Sequence, residues 1–379
     1  PDLDTFAPLP FAPGSARLLS ELCDVNLKHY EGDSRYFLRR AIAAAEKAGY
    51  SARVACESEF YLVKKEGNHY VPNTLGYGIE GFIGDEGYDA ANDYVQDFFQ
   101  TLGQMNVQAE RLKKESGPAQ IEVILRHAEA LKAADDFVTL RDAAKGVASK
   151  RGLIATFLPK LFQNEGPSGL HVHVSLVEKK SGKNFFFDQK DKRGMQLSEI
   201  GYQFIGGIMK HMKGLMPIAA PIPNSYKRFV PSEVWCPVNM TYGYDNRSVA
   251  IRVPSRSNDP EGRGARCEFR VSDPTANPYL LIGMLILAGL DGIKRALDPG
   301  EPMNDDAYKL TPQVLHDRGI ESIPPTLGEA LAAARGDSFI KDSMGDLLYR
   351  QYLAARESDW SNYCKLVTPW EIDNFILSL

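Results

Sequence analysis

The chain has 379 residues, 44% of them apolar and 25% charged, with a net charge of −5. That is enough apolar sequence for a large core, and the acidic balance, with no long basic run, excludes the electrostatic footprint of a nucleic-acid binder. The longest apolar stretch, Tyr279 to Leu290, falls short of the roughly 20 residues of a bilayer crossing and reads as a buried helix. Pro1-Asp-Leu-Asp4 offers neither the basic nor the apolar part of a signal peptide. Lacking an initiator Met, the sequence is expected to begin partway into a longer chain. The cysteines Cys23, Cys56, Cys236, Cys267 and Cys364 are scattered and form no CxxC pair, which suits reduced thiols in a cytoplasm.

In chain order, Tyr36 to Lys47 predicts a helix that stops near Gly49. Cys56 to Leu62 and Gln120 to Leu125 alternate as strands, and Ala128 to Lys150 predicts a long helix. Leu170 to Leu176 is a further strand, followed by Glu178 to Arg193, a Lys- and Asp-rich stretch expected to be an exposed loop. Ile200 to Leu215 predicts a helix, Ser255 to Gly264 a second exposed loop, Arg266 to Val271 a strand, and Pro278 to Leu297 another helix. Thr326 with Glu329 fits a capping box before an Ala-rich helix, and Ser338 to Ala355 predicts the next. Strands dispersed among helices, without a regular βαβ cadence, imply an α+β fold with an antiparallel sheet.

Residues two apart in a strand share a face. Glu57 and Glu59 therefore share one, as do Gln120 and Glu122; His171, His173 and Ser175; and Arg266, Glu268 and Arg270. Apolar residues occupy the opposite face each time. One such strand is equally well a solvated face, but four that favour Glu, His and Arg over Thr, Ser and Lys call for another explanation. Several carboxylates with one or two imidazoles suit a hard cation such as Mg²⁺ or Mn²⁺, where zinc prefers more His or Cys. Arginines beside them supply forked donors for phosphate or carboxylate. There is no Walker A motif and no kinase-type Gly-rich loop. The residues alone imply a metal-assisted, phosphate-handling enzyme.

Those segments, in that order, resemble the glutamine synthetase family. Glu57-Ser-Glu59-Phe-Tyr-Leu resembles E-P-E-F-F-L, and Glu115-Ser-Gly-Pro-Ala-Gln-Ile-Glu122 resembles E-V-A-P-G-Q-x-E. Thr156-Phe-Leu-Pro-Lys160 is similar to T-F-M-P-K, and Ser168-Gly-Leu-His-Val-His173 to S-G-M-H-x-H. Asn246-Arg-Ser248 with Arg252-Val-Pro254, then Arg266-Cys-Glu-Phe-Arg270 and Asp273-Pro-Thr-Ala-Asn-Pro278, complete the series. The resemblance implies a catalytic domain over 21–379, with 1–20 a remnant or linker of a small N-terminal β-grasp domain that is largely absent from the sequence. It implies one metal on Glu59, Glu115 and Glu122, and a second, bridging the ATP phosphates, on Glu57, His171 and Glu268. His173, Ser175, Arg247 and Arg252 are expected at ATP, with Arg247, Arg252 and Arg266 stabilising the transferring phosphoryl group. Arg228, Arg270 and Gly169 are expected at glutamate. The implied reaction is ligation of an amine to the γ-carboxyl of glutamate through a γ-glutamyl phosphate, in a ring-shaped homo-oligomer, with Mg²⁺ or Mn²⁺ and ATP.

The departures from the family pattern lie at the substrate end. The flap, R-L-V-P-G-Y-E-A-P in the family, reads Arg228-Phe-Val-Pro-Ser-Glu-Val-Trp-Cys-Pro237, one residue longer. Trp235 falls where the family has a glutamate, with Glu233 as the candidate replacement for closing the site. Gly166-Pro167 replaces the family's N-G before the S-G-M-H motif, and Lys113 stands two before Glu115, where a His is common. A Trp in place of a Glu removes a charge that favours ammonium and offers an apolar or cation–π wall for a larger amine. The expected product is thus a γ-glutamyl amide of an amine larger than ammonia. The alternatives are a true glutamine synthetase, or an inactive structural relative, which would leave the six residues that match the family's metal ligands as buried charge without compensation.

Overall fold

The computed structural model describes residues 1–73, 86–231, 236–256 and 259–377. Among them the strands β1 (Asp2–Pro8) and β2 (Ala16–Leu19) form a separate antiparallel pair. The rest builds one ten-stranded sheet around β3 (Ser51–Glu66), a 16-residue strand. On one side β3 pairs with β6 (Gln120–Leu125), which pairs with β5 (Ala109–Lys114). On the other it pairs with β9 (Leu170–Val177), followed by β12 (Cys267–Phe269), β11 (Ile251–Val253) and β10 (Tyr242–Tyr244). The short strands β4 (His69–Pro72), β7 (Ala128–Glu129) and β8 (Ile154–Thr156) also pair with β3.

All these pairings are antiparallel except that of β10 with β11, so the sheet is mixed. At this edge the expected antiparallel arrangement gives way to one parallel pair, Tyr242–Tyr244 with Ile251–Val253, joined through residues 245–250. Val54, Cys56, Phe60 and Leu62 are sealed on one face of β3, which packs on α1 (Ser34–Lys47) and α3 (Ala130–Lys150), with α2 (Glu86–Gln104) against α3. The period-2 alternation leaves Glu57 and Glu59 on the opposite, partly open face.

Local signals explain the helix ends. Asp33 caps α1 by accepting from the Tyr36 N–H at 2.7 Å, and Gly49, at φ +90°, ends it. Asn277 caps α5 (Pro278–Arg295), with Pro278 in the first turn, where its missing N–H costs nothing. The apolar α5 is buried against α1 and α4 (Glu199–Ala219). The helix α4 runs past the expected end at Leu215, through Pro217 in its last turn, because its apolar face stays buried to Ala219. The expected single helix from Ser338 to Ala355 is instead two, α8 (Ser338–Met344) and α9 (Asp346–Cys364), preceded in order by α6 (Pro312–Asp317) and α7 (Leu327–Gly336). Gly345, at φ +82°, breaks it. The polar stretch Glu178 to Arg193 is only partly exposed, since Asn184 and Phe186 are buried. No described helix is long and apolar enough to cross a membrane.

Candidate active site

Register in the sheet decides which charged residues meet. Glu57 on β3 lies opposite His171 on β9, and Glu59 lies opposite Glu122 on β6. Glu268 on β12 faces His173 on β9 and Arg252 on β11. Two groups result. Ligand atoms of Glu57, His171 and Glu268 all lie within 4.8 Å of one another, as do those of Glu59, Glu115 and Glu122. Both are the sets expected from the sequence, brought together by four strands and the turn that carries Glu115.

The electrostatics of the two groups differ. His171 Nδ1 stands 3.5 Å from both Glu57 and Glu268. Burial pushes Glu57 up, but the His171 and His173 rings outweigh it and hold the carboxyl well below the usual range. Glu268 is fully buried; burial raises it, and Arg270, His173 and His171 bring it down to about 2. Arg252 Nη1 donates to Glu268 at 3.0 Å and Arg270 donates to its other oxygen. The second group is short of positive charge. Burial, Glu115 and Glu122 drive Glu59 well above the usual carboxylate range, and burial raises Glu122 as well. Lys113 is the cation in contact, donating to Glu115 and, at 3.1 Å, to Glu122. Three carboxylates facing one ammonium leave uncompensated negative charge in a partly dry site, which a divalent ion would neutralise. The all-oxygen and oxygen-plus-imidazole donor sets both fit Mg²⁺ or Mn²⁺.

Two cavities meet at this wall. One, of about 580 Å³, is lined by both groups and by Arg228, Arg247, Arg252 and Arg270. The other, of about 430 Å³, is lined by His173, Ser175, Arg53, Arg263 and Arg266. Glu57 lines both. The expected nucleotide set is therefore divided, with His173, Ser175 and Arg266 on one side of Glu57 and Arg247 and Arg252 on the other. Arg266 Nε donates to His173 Nδ1 at 3.1 Å, and His173 Nε2 lies 2.9 Å from Glu57 Oε1. A guanidinium only donates, so Nδ1 accepts and the Nε2 proton is the one offered to Glu57.

Two residues expected at glutamate are otherwise engaged. Arg228 is buried, and its guanidinium donates to the carbonyls of Ser225, Ser272 and Val271 at 3.2, 3.2 and 2.8 Å. It thereby ties the segment before the flap to the end of β12 instead of presenting a free fork. The Gly169 N–H donates to Glu59 Oε2 at 2.9 Å, and the Gly169 carbonyl accepts from the Glu59 N–H at 3.0 Å. Its backbone orients a carboxylate of the site, which leaves no free N–H for glutamate. Arg247 is exposed at the cavity, and Arg270 keeps a buried Nε with no hydrogen-bond partner. Glu233 and Trp235 lie outside the described residues.

Sequence reasoning missed three supports. Gln120 donates to Glu59 at 3.1 Å and to the Pro167 carbonyl at 3.0 Å, while its own oxygen accepts from the Gly117 N–H at 3.0 Å. Its place on the Glu122 face of β6 was the available signal. The Tyr61 hydroxyl donates to the Gly166 carbonyl at 2.6 Å, and Tyr308 lines the larger cavity. Tyr61 carries no local signal of a site.

The fold and the paired groups define a class, proteins with two candidate metal-ion sites laid side by side across one face of a sheet. A family model described as glutamine synthetase, catalytic domain, matches residues 31–375, and the chain belongs to the glutamine synthetase family. It is 36% identical to a glutamine synthetase of Methanosarcina mazei over 381 residues, spanning 100% of this chain and 83% of that relative. It is 37% identical to a glutamine synthetase of Pyrococcus furiosus over 388 residues, spanning 99% and 84%. Among solved structures, a GmaS/ADP complex superposes with a TM-score of 0.87 at 27% identity, covering 99% of this chain and 84% of that one. GmaS without ligand gives 0.85 at 26%.

Proposed function

We propose that the protein is an ATP-dependent ligase that forms a γ-glutamyl amide from glutamate and an amine larger than ammonia, releasing ADP and phosphate. The observation that carries this reading is the pair of ligand groups at the junction of two cavities, one rich in arginines. In it, Glu57, His171 and Glu268 would hold one divalent ion and Glu59, Glu115 and Glu122 the other. Such ions would supply positive charge that offsets the repulsion between an anionic carboxylate and an anionic phosphate. ATP enters the His173–Ser175 side with its terminal phosphate toward Glu57. Arg247, Arg252 and Arg266 face the transferring group, and Arg270 the glutamate carboxylate. The γ-carboxylate oxygen attacks the terminal phosphorus, ADP leaves, and the amine then displaces phosphate from the γ-glutamyl phosphate. Arg252 and Arg270, held against Glu268, are pre-oriented for these anions and need little reorganisation.

Trp235 in place of the flap glutamate supports the larger amine, with Glu233 closing the site. The alternative is ammonia as the substrate, favoured by the glutamine synthetase names of the curated relatives. Work in the cytoplasm as a ring-shaped homo-oligomer, with the catalytic fold over 21–379, belongs to the same proposal. The free state of all five cysteines and the exposed apolar side chains Leu366, Val367, Trp370 and Ile376 near the chain end support it.

The test supplies ATP, Mg²⁺ and glutamate with ammonium, ethylamine, putrescine, ethanolamine or aniline in separate reactions. Phosphate release and product mass are followed together. A γ-glutamyl amide of a larger amine, with little glutamine, is the expected result. Glutamine as the main product assigns ammonia, and phosphate release without any amide overturns the ligase.

A further inference from the structure

The site as folded leaves glutamate short of donors. Of the three residues expected there, the Arg228 guanidinium is engaged with carbonyls and the Gly169 N–H with Glu59. Arg270 remains, with a buried Nε that has no partner. The γ-carboxylate of the substrate is committed to phosphoryl transfer beside the two ligand groups, so its α-carboxylate needs donors that belong to neither group.

Tyr308 stands where such a donor is needed. It is the only aromatic side chain among the described residues that line the cavity of about 580 Å³, which it shares with Arg228, Cys236 and Arg270. It lies in a short helical turn, Ala307–Lys309. Ala307 and Leu310 pack in a small apolar cluster with Val249 and Met303, but Tyr308 is not part of it. Its backbone is held in place. The Ala307 N–H donates to Ser248 Oγ at 2.8 Å, and Asn246 Nδ2 donates to the Met303 and Asp305 carbonyls at 3.0 and 2.8 Å. The Tyr308 N–H donates to Asp306 at 3.1 Å. Its hydroxyl, by contrast, has no hydrogen-bond partner among the described residues. Burial raises the phenol well above its ordinary value; Cys236 and Asp306 add to this and Arg270 opposes it. At neutral pH the hydroxyl therefore keeps its proton and can donate to an anion.

We propose that Tyr308 is a substrate-binding residue whose hydroxyl donates to the α-carboxylate of glutamate, beside the Arg270 guanidinium. This rests on the ligase reading above. A fixed hydroxyl and a guanidinium converging on one carboxylate satisfy both of its oxygens, and a donor bonded to an anion is worth more than one bonded to a neutral group. The hydroxyl meets the end of glutamate that does not react. It therefore sets the affinity for glutamate and leaves phosphoryl transfer and the amine untouched.

The test compares one substrate with the others. L-glutamate is titrated calorimetrically into the full chain with Mg²⁺ and a non-hydrolysable ATP analogue, for wild type, Tyr308→Phe and Tyr308→Leu. Thermal melts establish that each variant is folded. Tyr308→Phe keeps the ring and removes only the donor, and is expected to weaken glutamate binding by about tenfold or more, with Tyr308→Leu at least as weak. In steady state the KM for glutamate is expected to rise alike, while kcat and the KM for ATP stay within about twofold of wild type. Glutamate affinity unchanged in Tyr308→Phe overturns the inference, as does a loss that falls on kcat or on the KM of the amine instead. Wild type that binds glutamate but forms no amide overturns the ligase, and the Tyr308→Phe titration still decides the contact. Wild type that binds no glutamate overturns both.

Discussion

The lesson at the scale of single residues is that equal ionisable groups are worth different things according to what the sheet puts beside them. Glu268 is enclosed by Arg252, Arg270 and His171, whereas Glu59 faces two further carboxylates. Glu268→Ala removes an anion that holds two arginines and a ligand of the first group. Amide formation is expected to fall by about a hundredfold or more, with phosphate release falling in parallel. A variant with kcat within twofold of wild type would mean that Glu268 only positions the arginines. His211 is a second case. The sequence places it on a helix with no motif, which reads as a surface or capping residue. In the structure it is buried, its ring nitrogens 2.7 Å from Asp337 and 3.0 Å from Asp291, stacked on Phe339. It clamps α4 to α5 and to the start of α8. His211→Ala is expected to cost about 2–4 kcal/mol in urea unfolding without altering the Michaelis constants.

At the scale of elements, two features govern tolerance. The helices α4 and α5 approach closely enough that a Cβ at Gly207 would stand 2.0 Å from the Ala288 carbonyl, and one at Gly292 the same distance from that of Gln203. Backbone is what blocks the space, so neither helix yields cheaply. Gly207→Ala is expected to destabilise by about 3 kcal/mol or to leave the protein insoluble, read by expression and thermal melting. The second feature is the anchored end of the polar stretch before α4. Asp191 accepts from the N–H groups of Arg193, Met195 and Leu197 at 2.9, 2.8 and 3.2 Å and from the Tyr202 hydroxyl at 2.8 Å. Burial raises this carboxyl, but those donors prevail and bring it below the ordinary value near 3.8. The stabilisation is therefore complete above that ordinary value and is lost as pH falls through the lower folded one. The gap in melting temperature between wild type and Asp191→Asn is expected to be constant from about pH 7 to 5 and to narrow below about pH 4. A gap that widens on acidification would refute the assignment.

At the scale of the whole molecule, the candidate site ties together strands distant in sequence. Glu57, Glu122, His171 and Glu268 come from four strands, and β3 is their common neighbour or next neighbour. An ion bound in either group would cross-link distant strands in the folded state only. Mg²⁺ or Mn²⁺ at about a hundredfold over its dissociation constant is expected to stabilise the chain by about 2.7 kcal/mol, reversed by a chelator. A melting temperature that ignores both additions would argue against resident metal sites.

The sequence by itself determined the strand faces, since alternation with period 2 needs no distant partner, and it named both ligand groups through the ordered motifs that resemble the family. The helix start at Thr326 was equally legible, its hydroxyl accepting from the Glu329 N–H, whereas the caps at Asp33 and Asn277 came only with the structure. Only the tertiary structure decided the rest. Whether Arg228 is a free fork depends on carbonyls more than forty residues away, and the parallel edge of the sheet lies in the pairing of Tyr242–Tyr244 with Ile251–Val253. That Lys113 sits on Glu115 and Glu122 follows from the register of β5 with β6. Local sequence fixes which way a side chain points; which oxygens it meets is set by strand pairing, and that is a property of the whole chain.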